Sequence, residues 1–351
     1  MYENRKVDGK PPHRRSHRLL SGSLAASLLA TLAYAGVFVT GQANAGATTE
    51  HFTIGSDVND METPFLAALA TGEQAEAKKL GMTVKVLSAN SAGSISLSQE
   101  ISNIESFISE KVSVILVTPS NSTAILPVIK KANAAGIPVI AVNEPVGVVT
   151  GHHVNTSGAK VVTYIGDDDT AYGVAEANLV VKAIHGKGNI VMIHGILGAS
   201  ADTYRFNGMR SVFSKYPGIK VVSTMVDNWT NTTNVTDVQD LLAKYPGKDL
   251  AAVVSVGPEM YAGAEYARSH GNKTIQFIAG DYSVQVSAAI KNGALYGTVD
   301  QSPGLEGQLG VQYAYDWLTN HKSLVPSPVS DIPLPLVTKA NVNSVKALWS
   351  S

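Results

Sequence analysis

The chain has no cysteine among its 351 residues. That excludes a disulfide framework, a cysteine nucleophile, the usual cysteine zinc sites and a lipid anchor on cysteine. It has almost no excess charge: 27 Lys and Arg stand against 28 Asp and Glu, a formal net charge of −1. No long-range field therefore favours nucleic acid or an anionic membrane. Aromatic residues are sparse, at 7%. No G-x-G-x-x-G follows a strand and no G-x-x-x-x-G-K-[ST] occurs, so nucleotide binding lacks its usual phosphate cradle. G-x-S-x-G is absent too, which weakens an α/β-hydrolase reading.

What is present suits a soluble globular protein, with 44% hydrophobic and 16% charged residues. The length allows two domains with real cores. Arg5, Lys6, Lys10, Arg14, Arg15 and Arg18 form a basic head, residues 19–40 an apolar stretch, and Ala43-Asn44-Ala45 a small-x-small site. The pattern predicts a secretory signal over 1–45, cut after Ala45. The competing reading is a membrane anchor. Ser, Gly and Thr dilute the apolar stretch, and the cleavage pattern follows at the right place.

The mature chain then alternates short apolar runs with helical periods. Strands are predicted over 52–56, 82–87, 113–117 and 137–142. Helices are predicted over 64–80, 95–110 and 121–135. The rhythm restarts with strands over 161–165, 189–194, 219–226, 250–255, 275–279 and 294–300. The helices of this second series are predicted over 170–184, 199–216, 232–245, 259–270 and 305–318. Residues 323–336, rich in proline, read as an extended linker, and 337–351 as a tail ending in a short helix. Two successive βαβ series of similar length predict two lobes, each a parallel sheet with helices on both faces.

In such sheets ligands bind outside the carboxyl ends of the strands. Polar residues recur there: Asn143 and Glu144, Asp281, and Gln301. Asp281, after the run 274–280, is expected on a cleft rim with its carboxylate free to accept hydrogen bonds, and Ser283 is expected to cap the next helix. Trp229, also at a strand end, is a candidate stacking surface for a sugar's apolar face, or else an interface-packing ring. A polyhydroxylated ligand needs this mix of acceptors, amides and rings. Asp167-Asp168-Asp169 reads as helix capping and hinge, with a ligand or metal contact as the alternative; D-x-D-x-D-G spacing is missing. His152-His153 lie in what reads as a polar loop after Pro145, where neighbours on extended chain face opposite ways, which disfavours a shared metal. The sequons at Asn228, Asn231 and Asn234 read as a polar helix start rather than glycosylation sites. No nucleophile, base and orienting group stand at recognisable spacing.

Thr63-Pro64-Phe65, the run 134–140, Gly280-Asp281 and Asp300-Gln301-Ser302-Pro303 occur in an order and spacing that resembles a known family. It is that of periplasmic substrate-binding proteins of sugar ABC transporters, of the ribose-binding, type I kind. The resemblance covers about residues 52–340. It implies an α/β fold of two flavodoxin-like, doubly wound lobes joined by a three-segment hinge with crossings near Gly166, Ser302 and Asp331. The lobes would be 46–166 plus 302–331, and 167–301 plus 332–351. The resemblance also implies ligand contacts at Thr63, Phe65 and Leu66, at Asn143 and Glu144, at Thr203 and Arg205, and at Trp229, Gly257, Asp281 and Gln301.

Three positions depart from the family. Asn143-Glu144 stands where ribose binders carry Asp-Arg. Thr203 replaces the family's ligand arginine, while the nearby Arg205 matches a second, structural one. Gly257 replaces an asparagine. The resemblance thus implies the family's role with a ligand other than ribose: another monosaccharide or a polyol, without cofactor or metal. It also implies a periplasmic monomer that delivers to an ABC permease. Other readings are a receptor that presents ligand to a sensor kinase or chemoreceptor, and a secreted enzyme pairing Asp281 with Glu144. A lac-type repressor is disfavoured because signal-like sequence occupies the place of a helix-turn-helix. No nucleic-acid partner is expected.

Overall fold

The structure, a computed structural model, describes residues 51–91, 94–150, 153–247 and 249–351. The signal read in 1–45 and His152 lie outside the described residues. In chain order, β1 (Thr53–Val58), α1 (Pro64–Leu80) and β2 (Thr83–Ser88) open the first lobe. A small hairpin follows, β3 (Asn90–Ser91) and β4 (Ser94–Ile95), then α2 (Leu97–Glu110), β5 (Val114–Thr118), α3 (Leu126–Ala134) and β6 (Val139–Val142). A second hairpin, β7 (Val148–Thr150) and β8 (His153–Asn155), precedes β9 (Tyr164–Gly166).

The second lobe runs through α4 (Asp169–Ala183), β10 (Gly188–His194), α5 (Ser200–Phe213), β11 (Ile219–Val226) and α6 (Asn231–Lys244). It continues with β12 (Ala252–Ser255), α7 (Met260–Ser269), β13 (Gln276–Ala279), α8 (Val284–Asn292) and β14 (Gly297–Val299). Last come α9 (Pro303–Leu318), a short 3-10 turn (Lys322–Leu324), β15 (Val329–Asp331) and β16 (Leu336–Thr338).

The first sheet has the order β15-β9-β6-β5-β1-β2 and is parallel throughout. The second has the order β11-β10-β12-β13-β14-β16, parallel except for β16. Within each lobe the first five main strands follow the flavodoxin order 2-1-3-4-5, which opens a crevice where the order reverses. The central strands are apolar on both faces because helices cover both. Val-Ile-Leu-Val-Thr of β5 and Val-Ile-Ala-Val of β6 are buried along their whole length.

The chain crosses between the sheets three times: from β9 into α4, from β14 into α9, and between β15 and β16. Two helix pairs pack closely beside these crossings, α1 with α9 and α4 with α5. At the second pair a Cβ on Gly173 would strike the Arg205 carbonyl oxygen. Glycine therefore lets α5 approach α4, and that approach sets Arg205 beside Asp169.

Local chemistry explains most boundaries. α1 fills the predicted span, with Pro64 in its first turn and Gly81 closing it at φ 68°. Ser283 caps α8 by accepting from Val286 N at 3.1 Å, and Asp168 caps α4 by accepting from Ala171 N at 3.0 Å. α3 starts later than predicted. Asn121 Oδ1 accepts from Thr123 N and Ala124 N at 3.1 and 2.9 Å, a local turn that replaces the first helical turn.

Three expectations need correction. The proline-rich linker contains β15, an edge strand beside β9 that follows Pro328, which suits an edge position. The polar segment after Pro145 contains the β7–β8 hairpin. The tail forms no helix: Val337 is fully buried in β16, which covers the open edge of β14, and residues beyond turn back across the lobe. Among the described residues, no helix is long and apolar enough to cross a membrane.

Candidate functional site

Three of the strand-end residues sit in the left-handed region: Asn143 at φ 63°, Trp229 at 54° and Asp281 at 51°. Such backbone costs on the order of 1–3 kcal/mol per residue and clusters at ligand sites. It turns each side chain away from its sheet toward the crevice. Between the lobes lies a cavity of about 410 Å³, within the range of about 300–1,000 Å³ for small-molecule sites.

The first lobe lines the cavity with Thr63, Phe65, Leu66, Asn143 and Glu144. The second contributes Arg205, Trp229 and Asp281, and Gln301 lies at the crossing into α9. Two predicted residues stand apart. Thr203 is exposed and off the lining, because it lies two residues before Arg205 on α5 and faces another side of the helix. Gly257 is also off the lining. Its bare Cα makes room for the Trp229 ring, since a Cβ there would stand 2.5 Å from Trp229 Cδ1 and would also meet Glu259 Oε2. A Cβ on Gly195 would strike the same indole. Trp229 therefore lies over two glycines with its remaining surface toward the cavity.

Arg205, read from the resemblance as structural, is the hub of the polar wall. It is 4% exposed. Its Nε donates to Asp169 Oδ1 at 2.8 Å, Nη1 to the Val256 carbonyl at 3.0 Å and Nη2 to Gln301 Oε1 at 2.6 Å. Its guanidinium lies 3.8 Å from the centre of the Tyr172 ring, and Asp281 Oδ1 is 3.6 Å from Nη1. Gln301 Nε2 donates to Asp167 Oδ1 at 2.7 Å and Glu306 Oε1 at 2.8 Å. Both amide protons are thus engaged inside the protein, leaving Gln301 one acceptor lone pair. Asp281 is less free than expected. Its Oδ1 accepts from the Tyr172 hydroxyl at 2.9 Å, and its main-chain N donates to that hydroxyl at 2.6 Å. On the facing lobe, Asn143 Nδ2 donates to Glu306 Oε2 at 3.0 Å, and Ser200 Oγ of α5 donates to Glu144 across the cleft.

Acid outnumbers base here. Burial pushes Asp281 up to about 6, against the opposing pull of Arg205 and the Tyr172 hydrogen bond. Burial, with the Asp169 charge, pushes Glu144 up to about 7 against the Ser200 hydrogen bond. Burial likewise raises Asp167, Asp169 and Glu306. Arg205 pulls Asp167 and Asp169 back down.

Position by position, Asp60 holds the loop that presents Phe65. It accepts from Glu62 N at 2.9 Å, Thr63 Oγ1 at 2.7 Å and Asn90 Nδ2 at 2.6 Å. Of the acidic triplet, Asp168 caps a helix while Asp167 and Asp169 turn inward to the Arg205 network. Among the described residues no group of three His, Asp or Glu could hold a metal. The sequence reading missed Tyr172, Glu259 and Trp349. Tyr172 and Glu259 carried no signal, because each is one residue on a long helical pattern. Trp349 carried one: a large ring near the end of a polar tail.

The site combines fixed acceptors, one buried guanidinium and ring faces, and among the described residues nothing is arranged there as nucleophile and base. A two-lobed α/β protein with such a cleft at the crevices of both sheets is a receptor for a small polar solute. The chain belongs to the periplasmic binding protein family, whose domain model matches residues 54–322. It is 30% identical to a ribose import binding protein of Bacillus subtilis, over 84% of this chain and 90% of that one. It is 28% identical to a xylitol-binding protein of Mycolicibacterium smegmatis, over 88% and 83% of the two chains. Its fold matches a solute-binding protein from Agrobacterium vitis bound with α-D-tagatopyranose, with TM-score 0.71, 26% identity, and 83% and 96% of the two chains covered. The protein is thus a solute-binding component of a sugar ABC transporter rather than an enzyme.

Proposed function

We propose that the protein captures a neutral monosaccharide or polyol other than ribose in the inter-lobe cleft and hands it to an ABC permease. One observation carries the ligand class: a buried arginine, fixed among carboxylates and an amide, faces a cavity with rings on its walls. Hydroxyls donate to Asp281 and Glu144, accept from Asn143 and Arg205, and the ring's C–H face lies on Phe65 or Trp229. The departures at Asn143 and Glu144, both on the cavity lining, support a ligand other than ribose. The relatives' names, ribose, xylitol and tagatose, bracket the class.

In this reading residues 1–45 direct export and are removed, and the mature protein acts as a monomer in the periplasm. The lobes are 46–166 plus 302–331, and 167–301 plus 332–351, in line with the sheet each strand joins. The hydrogen bond from Ser200 to Glu144 spans them. A ligand that binds better when the lobes are together shifts the population toward that form, and the permease reads it.

The test is thermal melting of residues 46–351 with pentoses, hexoses and polyols, among them D-ribose, xylitol, D-tagatose and myo-inositol. A ligand at about 100 times its Kd adds about 2.7 kcal/mol to stability. One clear hit other than ribose is expected. Silence across the panel, with no sugar found by mass spectrometry of the denatured protein, would overturn the reading.

A further inference from the structure

We infer that the C-terminal tail is part of the binding site and that Trp349 is a third, specificity-determining wall of the cleft. Nothing in the order of sheets requires this, since the last strand ends at Thr338. Beyond it the chain turns back, and its end is fastened at the start of α8. Val284 N donates to the Trp349 carbonyl at 2.8 Å, Ser351 N donates to Gln285 Oε1 at 2.9 Å, and the Ser283 and Ser351 hydroxyls lie 2.6 Å apart. Ser283 and Asp281 belong to one turn, so the tail is tied to the segment that carries the cleft carboxylate.

The result of that fastening is specific. Trp349 and Ser351 both line the cavity. The Trp349 ring meets Phe65 of the other lobe edge to face, with centroids 5.5 Å apart and planes at 85°. Trp349 is 8% exposed, and its Nε1 is buried with no hydrogen-bond partner. A buried indole N–H normally finds an acceptor. Here the ring that carries it borders the ligand space, and a hydroxylated ligand supplies an acceptor. The adjoining Leu348 is 70% exposed, so the tail buries the tryptophan selectively.

Trp349 thus does two things. Its face and edge offer apolar surface to a sugar or polyol backbone, opposite the polar wall around Arg205. Its contact with Phe65 joins the lobes only when they are together, so the tail senses closure. The inference rests on the proposed sugar or polyol reading, and its test separates the two.

The whole protein and the variants W349A, W349F and L348S are titrated with D-ribose, xylitol, D-tagatose and myo-inositol by calorimetry. For the best-bound member, W349A is expected to bind on the order of ten- to a hundredfold more weakly. W349F, which keeps a ring and the packing but loses the N–H, is expected to fall between and to reorder preference among the four. L348S is expected to match the parent. If the parent binds and W349A and W349F bind with unchanged affinity and order, the tail is merely structural and the inference is overturned. If the parent binds none of the four, nor any member of the melting panel, and carries no sugar by mass spectrometry, the sugar and polyol reading fails first. W349F guards against misfolding of W349A, since melting without ligand shows whether each variant is folded.

Discussion

Replacing Arg205 by methionine tests the architecture of the site more sharply than any ligand variant. Methionine keeps a long apolar stem but removes the fork that reaches Asp169, the Val256 carbonyl and Gln301. It also removes the positive charge that opposes burial at Asp167, Asp169 and Asp281. Stripping one partner from a buried ion network costs about 3–5 kcal/mol. Unfolding entropy near 2.1 cal/mol/K per residue gives about 0.6 kcal/mol/K for about 300 residues. The loss should therefore lower Tm by about 5–8 °C. The sign of its pH dependence is fixed. Without Arg205 the carboxylate pKa values rise further, and an acid with a raised folded pKa loses its contribution as pH climbs through that value. The deficit should be largest at pH 8 and shrink toward pH 5, where the acids stay neutral. Calorimetric melts of parent, R205M and R205K at both pH values decide it, with R205K expected between the other two. A methionine variant melting within about 1 °C of the parent at pH 8 would refute the idea that Arg205 offsets buried charge. So would a deficit that grows on acidification.

Three further expectations follow the same reasoning. D281N keeps the shape and a side chain that tolerates positive φ, so lost affinity reports the carboxylate; hydrogen bonds to charged groups imply about 10- to 150-fold weaker binding in titration calorimetry. G257A places a methyl 2.5 Å from Trp229 Cδ1, so the indole must move; about 1–3 kcal/mol of stability should be lost in urea melts, with altered tryptophan fluorescence. The parent should gain Tm on acidification from pH 8 to pH 5.5. Burial holds Asp57 and Glu73 near 8, Glu144 near 7 and Asp281 near 6, and raised acids stabilise below these values and not above. A Tm that falls over that interval would count against these groups being buried as described.

The architecture was legible because period and punctuation agreed. Short apolar runs such as 113–117, a helix opened by Pro64 and closed by Gly81, and a helix cap at Ser283 each carry a local cause. The edges were not legible, because β15 and β16 are three residues long and owe their conformation to an open sheet edge. In the cleft, residues at strand ends were readable by position: Asn143, Glu144, Trp229, Asp281 and Gln301 all line it. Two positions carried over from the ribose binders, Thr203 and Gly257, were not. At Gly257 the chain has exchanged an amide for space, and Trp229 uses it. Arg205 was underrated because helix spacing alone cannot show that Gly173 lets its helix in so close. The tail was missed since its position is fixed by contacts with α8, which leave no periodic trace.

The three crossings also constrain the order in which the chain can fold. The first lobe begins at Thr53, yet its edge strand ends at Asp331, and the helix that covers α1 begins at Pro303. The second lobe leaves β14 without its neighbour until Val337 arrives. A growing chain therefore cannot complete the first sheet before Asp331 or the second before Thr338. Contacts at such separation along the sequence also make folding slow. Neither lobe can thus be excised as one uninterrupted stretch, since each takes strands from two separate parts of the chain.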